Sequence, residues 1–104
     1  MHVEVAFLYN DLALTYQGLD LFEEAINFID KTLNIYSNIN MQESQEFMSA
    51  LMLKADMHRE LGEVEEAIRL QEDAIKLHRK LGEEEDTIDY AQMLKTLASD
   101  YLAQ

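Results

Sequence analysis

The segment Leu19-Asp20-Leu21-Phe22-Glu23-Glu24-Ala25-Ile26 returns 42 residues later as Leu61-Gly62-Glu63-Val64-Glu65-Glu66-Ala67-Ile68. A near-repeat at this period means that one supersecondary unit is used at least twice, and that each copy relies on its neighbour to cover its apolar face. Chains built this way stack into solenoids that present extended surface rather than enclose a reaction.

The 104 residues are 48% apolar, enough for one domain with a continuous, thin core. Proline is absent, and only Gly18, Gly62 and Gly82 interrupt a pattern in which apolar residues return every three or four positions. That pattern predicts an all-α chain of five helices. The first covers about 3–18, with Val5, Leu8, Leu12, Ala13 and Tyr16 on its stripe, and the second covers about 22–37, with Ala25, Ile26, Ile29, Leu33 and Tyr36. Ser37-Asn38-Ile39-Asn40 breaks the pattern, because short polar side chains compete for the helix's own hydrogen bonds. The third helix covers about 44–61 and uses Phe47, Met48, Leu51, Ala55 and Met57. The fourth covers about 64–81, through Ala67, Ile68, Leu70, Ala74, Ile75 and Leu77. Gly62 and Gly82 follow these two helices, free to take the left-handed conformation that ends a helix. The acidic run Glu83 to Asp86 reads as a solvated loop, leading to a fifth helix over about 87–103 with Thr87 and Asp89 in its first turn and Ala91, Leu94, Leu97, Ala98 and Tyr101 on its stripe.

Small side chains fall at corresponding places. Ala25 and Thr32 on the second helix match Ala67 and Ala74 on the fourth, while Ala13, Ala55 and Ala98 match on the first, third and fifth. Small residues let a neighbouring backbone come close while larger ones fill the gaps. Two helix pairs and the first helix of a third, with units over 5–43, 44–86 and 87–104 of a single 1–104 domain, is the most economical parse.

The residues Tyr9, Leu12, Ala13, Tyr16, Phe22, Ala25, Ile29 and Thr32, then Leu51, Ala55, Gly62, Val64, Ala67 and Ala74, then Leu94, Leu97, Ala98 and Tyr101, together resemble the tetratricopeptide repeat. The stretch 66–82 is similar to the 42-residue variety found in kinesin light chains. The resemblance implies a right-handed α-solenoid of antiparallel helix pairs. Lys54 stands where the family usually has an apolar residue and His58 where it often has Tyr, which predicts a third helix slightly rotated or less tightly packed. Gly18 comes two positions earlier than the family's glycine.

The resemblance also implies a concave face lined by the first helix of each pair, where relatives bind extended peptides. Its positions here are Asn10, Asp11 and Leu14, then Met52, Leu53 and Asp56, then Lys95, Thr96 and Ser99. Asn10 can donate to and accept from a peptide backbone, Asp11 and Asp56 can pair with Lys or Arg, and Leu14, Met52 and Leu53 form an apolar floor. The bland alternative is that these apolar residues only pack between helices. Relatives that grip a C-terminal carboxylate do so with Lys, Arg and Asn. Leu14, Leu53, Gln92 and Thr96 stand at those places here, and Asn10 replaces a usual Lys, which disfavours such a clamp.

Twenty-one carboxylates against eight Lys and Arg leave a formal net charge of -13, marking an acidic protein and arguing against nucleic acid or anionic membrane as partners. A basic peptide or protein is the better electrostatic match, with solubility as the competing explanation of the charge. The absence of cysteine removes thiol chemistry and fits a cytoplasmic setting. Nothing near Met1 reads as a signal peptide, and the chain reads as an excised repeat segment or a small adaptor. His2, His58 and His78 lack metal-ligand spacing, and there is no phosphate-binding glycine loop and no nucleophile elbow, so neither cofactor nor enzyme is expected. The rival to a peptide-binding scaffold is self-association through the fifth helix, by Leu94, Leu97, Tyr101 and Leu102, as a homodimer.

Overall fold

The computed structural model describes residues 3–82 and 88–104, with side chains from Tyr90 onward in the second stretch. The expected loop Glu83 to Asp86, Thr87, the side chain of Asp89, and His2 lie outside the described residues. Five helices follow one another: α1 Val3–Gly18, α2 Phe22–Asn38, α3 Gln45–Glu60, α4 Val64–Lys80 and α5 Ile88–Leu102. The described residues contain no strand.

The period visible in the sequence is carried by the backbone. Helix α3 starts and stops 42 residues after α1, and α4 does so relative to α2, while α5 starts 43 residues after α3. The left-handed backbone positions recur in the same way. Asp20 and Gly62 have φ of 60° and 79°, and Asn40 and Gly82 have φ of 61° and 74°. Only Gly, Asn and Asp take this conformation readily. Gly18 is therefore not the residue that ends α1. Asp20 does this, at the place of Gly62, which explains the displaced glycine. In three of these turns a backbone N–H reaches back five residues: Leu21 to the Tyr16 carbonyl at 2.9 Å, Glu63 to His58 at 2.8 Å and Met41 to Tyr36 at 2.7 Å. These bonds satisfy carbonyls that a helix end leaves open. Ser44 caps α3, its hydroxyl oxygen accepting from the Phe47 N–H at 3.1 Å.

Gly62→Ala isolates the cost of that geometry. A Cβ there would meet no atom within 4 Å, so only the positive φ is strained. A loss of about 1–2 kcal/mol is expected by urea denaturation.

Helices pack in pairs, α1 on α2 and α3 on α4, with α2–α3 and α4–α5 contacts joining the pairs. Ala13, Ala25, Ala55, Ala67, Ala74 and Thr32 are all 0% exposed. The Thr32 hydroxyl lies 3.2 Å from the Ala6 carbonyl of α1 and the Phe28 carbonyl of its own helix, as a backbone approaching this closely allows. Leu33 and Phe47 touch both apolar clusters, so the core is continuous between pairs.

Three expectations about helix faces need correction. On α1, Val5 and Leu8 are exposed, and Ala6 and Ala13 mark the buried side instead. Their counterparts on α3, Phe47 and Ala50, pack against the α1–α2 core, a neighbour that α1 lacks on that side among the described residues. Helix α3 is not loosened by Lys54: Ala55 and Met57 are fully buried, and the lysine ammonium reaches Asp30 of α2 at 2.7 Å. On α5, Ala98 is exposed, and Tyr90, Met93 and Asp100 are buried in its place.

The label of an acidic protein also fails as a description of the folded surface. Lys54 pairs with Asp30, Arg59 with Asp56 and Asp100, Arg69 with Glu66 and Asp73, and Lys80 with Glu43. These four basic side chains thus sit within ion pairs, and the surface around them is mixed in sign.

Candidate functional site

Helices α1, α3 and α5 carry the nine positions expected to line a groove, and they differ in what surrounds them. Asp56, Lys95, Thr96 and Ser99 come together around a cavity of about 290 Å³, with Arg59, Gln92 and Asp100 completing its walls. Met52 lines a neighbouring cavity of about 310 Å³ with Gln45, Met48, Ser49, His78, Gln92 and Met93. Gln92 belongs to both, so the two hollows follow one another along the α3–α5 seam. Leu53 turns partly into the core instead, against the α1–α2 cluster. Asn10, Asp11 and Leu14 lie on α1 and line none of these hollows; Asp11 and Leu14 are exposed, Asn10 half-buried.

The polar wall of this seam is built by three residues of two helices. Arg59 donates from Nε to Asp100 at 2.5 Å and from Nη2 to the second Asp100 oxygen at 2.7 Å, while its Nη1 reaches Asp56 at 2.6 Å. The Asp100 side chain is 3% exposed, and a carboxylate is tolerated there because both oxygens accept from one guanidinium. The same bonds push the Arg59 pKa up, with the hydrogen bond to Asp100 as the largest cause. Asp56, expected to meet a basic partner, is thus already paired inside the chain. Among the described residues, Lys95 beside it forms no ion pair.

Sequence reasoning missed Asp100, Gln71, His78 and Tyr90 as structural residues. Gln71 donates to the Met93 carbonyl of α5 at 3.4 Å, and His78 stacks on Tyr90 with ring centres 5.1 Å apart. Arg79 donates to the Tyr90 hydroxyl at 2.7 Å. The signal was present in the repeat register: Gln71 stands in the column of buried Ile29, His78 in that of buried Tyr36, and Asp100 in that of buried Met57. A polar residue in a buried column calls for a partner. His58 is half-buried, with Nδ1 3.0 Å from a Glu63 oxygen and a buried Nε2 that forms no hydrogen bond.

Among the described residues, no three His, Asp or Glu side chains gather into a metal site. No described helix is long and apolar enough to cross a membrane. A further hollow, of about 540 Å³, lies away from the seam at the start of α4, between Glu63, Glu65, Glu66 and the residues after α5.

Residues 8–40 and 47–82 match the pattern of the tetratricopeptide repeat. The chain belongs to the tetratricopeptide-repeat family. Its fold is also similar to the crystal structure of a Podosopora anserina chain described as a kinesin light chain with nearly identical TPR-like repeats, with a TM-score of 0.80 at 20% identity. That likeness covers 98% of this chain and 48% of the other, so the chain spans about half the length of that protein. Comparison with curated protein sequences gave no match. Tetratricopeptide repeats are scaffolds for protein–protein interaction, and the two helix pairs and fifth helix described above have that architecture.

Proposed function

We propose that this chain is a non-enzymatic scaffold, a single helical-repeat domain over 1–104 with units at 5–43, 44–86 and 87–104, that holds an extended peptide or protein segment along α1, α3 and α5. The 42-residue recurrence of helices and left-handed turn positions supports placing it with the kinesin-light-chain-like variety of the repeat, and a cytoplasmic setting fits its lack of cysteine. The observation that carries the reading is the pair of adjoining hollows on the α3–α5 seam, apolar at Met52 and polar at Asp56, Lys95, Thr96 and Ser99. Such a surface suits one apolar side chain beside a hydrogen-bonded peptide backbone, and helices already packed in place lower the ordering cost on the protein's side. A basic residue of the partner would meet Asp11 of α1, since Asp56 is held by Arg59.

Panning a random peptide library on the immobilised chain tests this. Enriched peptides should lose at least about tenfold in affinity on Met52→Lys combined with Asn10→Ala. Affinity unchanged by these substitutions would remove the groove from consideration.

A second reading, self-association through α5, is supported by exposed apolar side chains: Leu94 is 40% exposed, Tyr101 48% and Leu102 89%. Leu97, named with them, is half-buried against the α3–α4 core and contributes less.

A further inference from the structure

Three of the chain's six methionines, Met48, Met52 and Met93, line the hollow of about 310 Å³ on the α3–α5 seam, and His78 of α4 lines it with them. Met48 and Met52 lie four residues apart on one face of α3 and are half-buried, whereas Met93 and His78 are 2% and 3% exposed. The His78 ring stacks on Tyr90 with an angle of 18° between the planes, which restrains its orientation and keeps its nitrogens on the ring edge.

The repeat does not call for this set. The corresponding places of the first unit, 42 residues before Met48, Met52 and His78 and 43 before Met93, hold Ala6, Asn10, Tyr36 and Ala50. Ala6, Tyr36 and Ala50 are buried there, so the fold packs at these places without sulfur or imidazole. The gathering of three thioethers and one imidazole around a single hollow belongs to the second unit and the helix after it.

Thioether sulfur is a soft, neutral donor that favours monovalent copper, while calcium and magnesium require oxygen donors and zinc favours thiolate, imidazole and carboxylate. The other lining side chains, Gln45, Ser49 and Gln92, bring no carboxylate and no thiol. Methionine has three rotatable bonds, so its sulfur can turn onto an ion without displacing its helix. A net charge of -13 raises the local concentration of cations.

We infer that Met48, Met52, Met93 and His78 form a binding site for a soft monovalent metal ion, Cu(I). The ion would tie α3, α4 and α5 together at one point. Its binding does not depend on a peptide in the groove.

The whole chain is titrated with Cu(I), without oxygen, in competition with the chromogenic chelator bicinchoninate. One equivalent should be withdrawn from the chelator, and Met48→Leu combined with Met52→Leu should weaken that binding at least about hundredfold. Leu replaces Met at nearly constant volume, so the double variant should keep its fold, which circular dichroism checks. The wild type gives a second readout through its methionine methyl groups. On addition of Ag(I), a soft monovalent ion that does not change oxidation state, the signals of Met48, Met52 and Met93 should move, while those of Met41 and Met57 stay. Three results would overturn the inference: no Cu(I) withdrawn from the chelator; binding undiminished in the double variant, with its loss on His2→Ala moving the ion to the start of the chain; or Ag(I) shifts spread evenly over Met41 and Met57 as well.

Discussion

Ile29→Ala is expected to destabilise the chain by about 3–4 kcal/mol. The Ile29 side chain is fully buried on α2, in the cluster that also holds Ala13, Ala25, Ile35 and Met57. Removing it forfeits the transfer of its apolar atoms from water and leaves a cavity that surrounding helices fill only in part. Collapse is restricted here because the neighbouring positions are alanines, whose backbones are already in close approach. Small domains are stable by only about 5–15 kcal/mol, so a loss of this size is a large share of the whole. Urea denaturation should show a lower midpoint with an unchanged slope, since the surface exposed on unfolding is nearly the same. A loss under about 1 kcal/mol would mean that α1, α2 and α3 are not packed as described.

Asp100→Ala should have an effect of similar size, about 2–3 kcal/mol, by another route. Breaking a buried ion pair leaves the surviving charge without compensation, and such changes cost about 3–5 kcal/mol when both partners are fully buried. Arg59 retains Asp56 and some contact with water, which lowers the figure. The damage should be uneven. Helix α5 packs mainly on α4, and the bidentate Arg59–Asp100 pair is its fixed polar tie to α3. Amide exchange should therefore quicken throughout α5 while α2 keeps its protection. Uniform loss of protection across all five helices would show that α5 is not a separable element. Arg59→Lys should recover little, because a single ammonium cannot reproduce two parallel N–H bonds to one carboxylate.

What could be read from the chain without its fold was whatever the repeat writes locally. The 42-residue offset, Gly62 and Gly82 as helix terminators, and the small residues Ala25, Thr32, Ala67 and Ala74 all depend on short-range periodicity, and each occupies the place expected of it. Side-chain pairing over long separations was not legible in this way. Nothing near Asp100 announces Arg59, 41 residues earlier, and nothing near Lys54 announces Asp30. The tie from Arg59 onward to α5 was hidden in the same way, although its pairing with Asp56, three residues earlier, is local. The inward face of α5, at Tyr90, Met93 and Asp100, was not legible either. Only the order of the helices reveals that Tyr90 and Met93 meet α4, while Leu94 and Ala98 have no described neighbour to cover them.

The central claim is that α1, α3 and α5 together form a surface for an extended segment of another chain. It is tested most directly by backbone amide shifts of isotope-labelled protein titrated with a peptide enriched in the panning. The account predicts shifts that run from Asn10 and Asp11 through Met52 and Asp56 to Thr96 and Ser99, with Glu24, Lys31, Arg69 and Lys76 on α2 and α4 unmoved. Shifts concentrated on α2 and α4, with the seam around Gln92 silent, would contradict it.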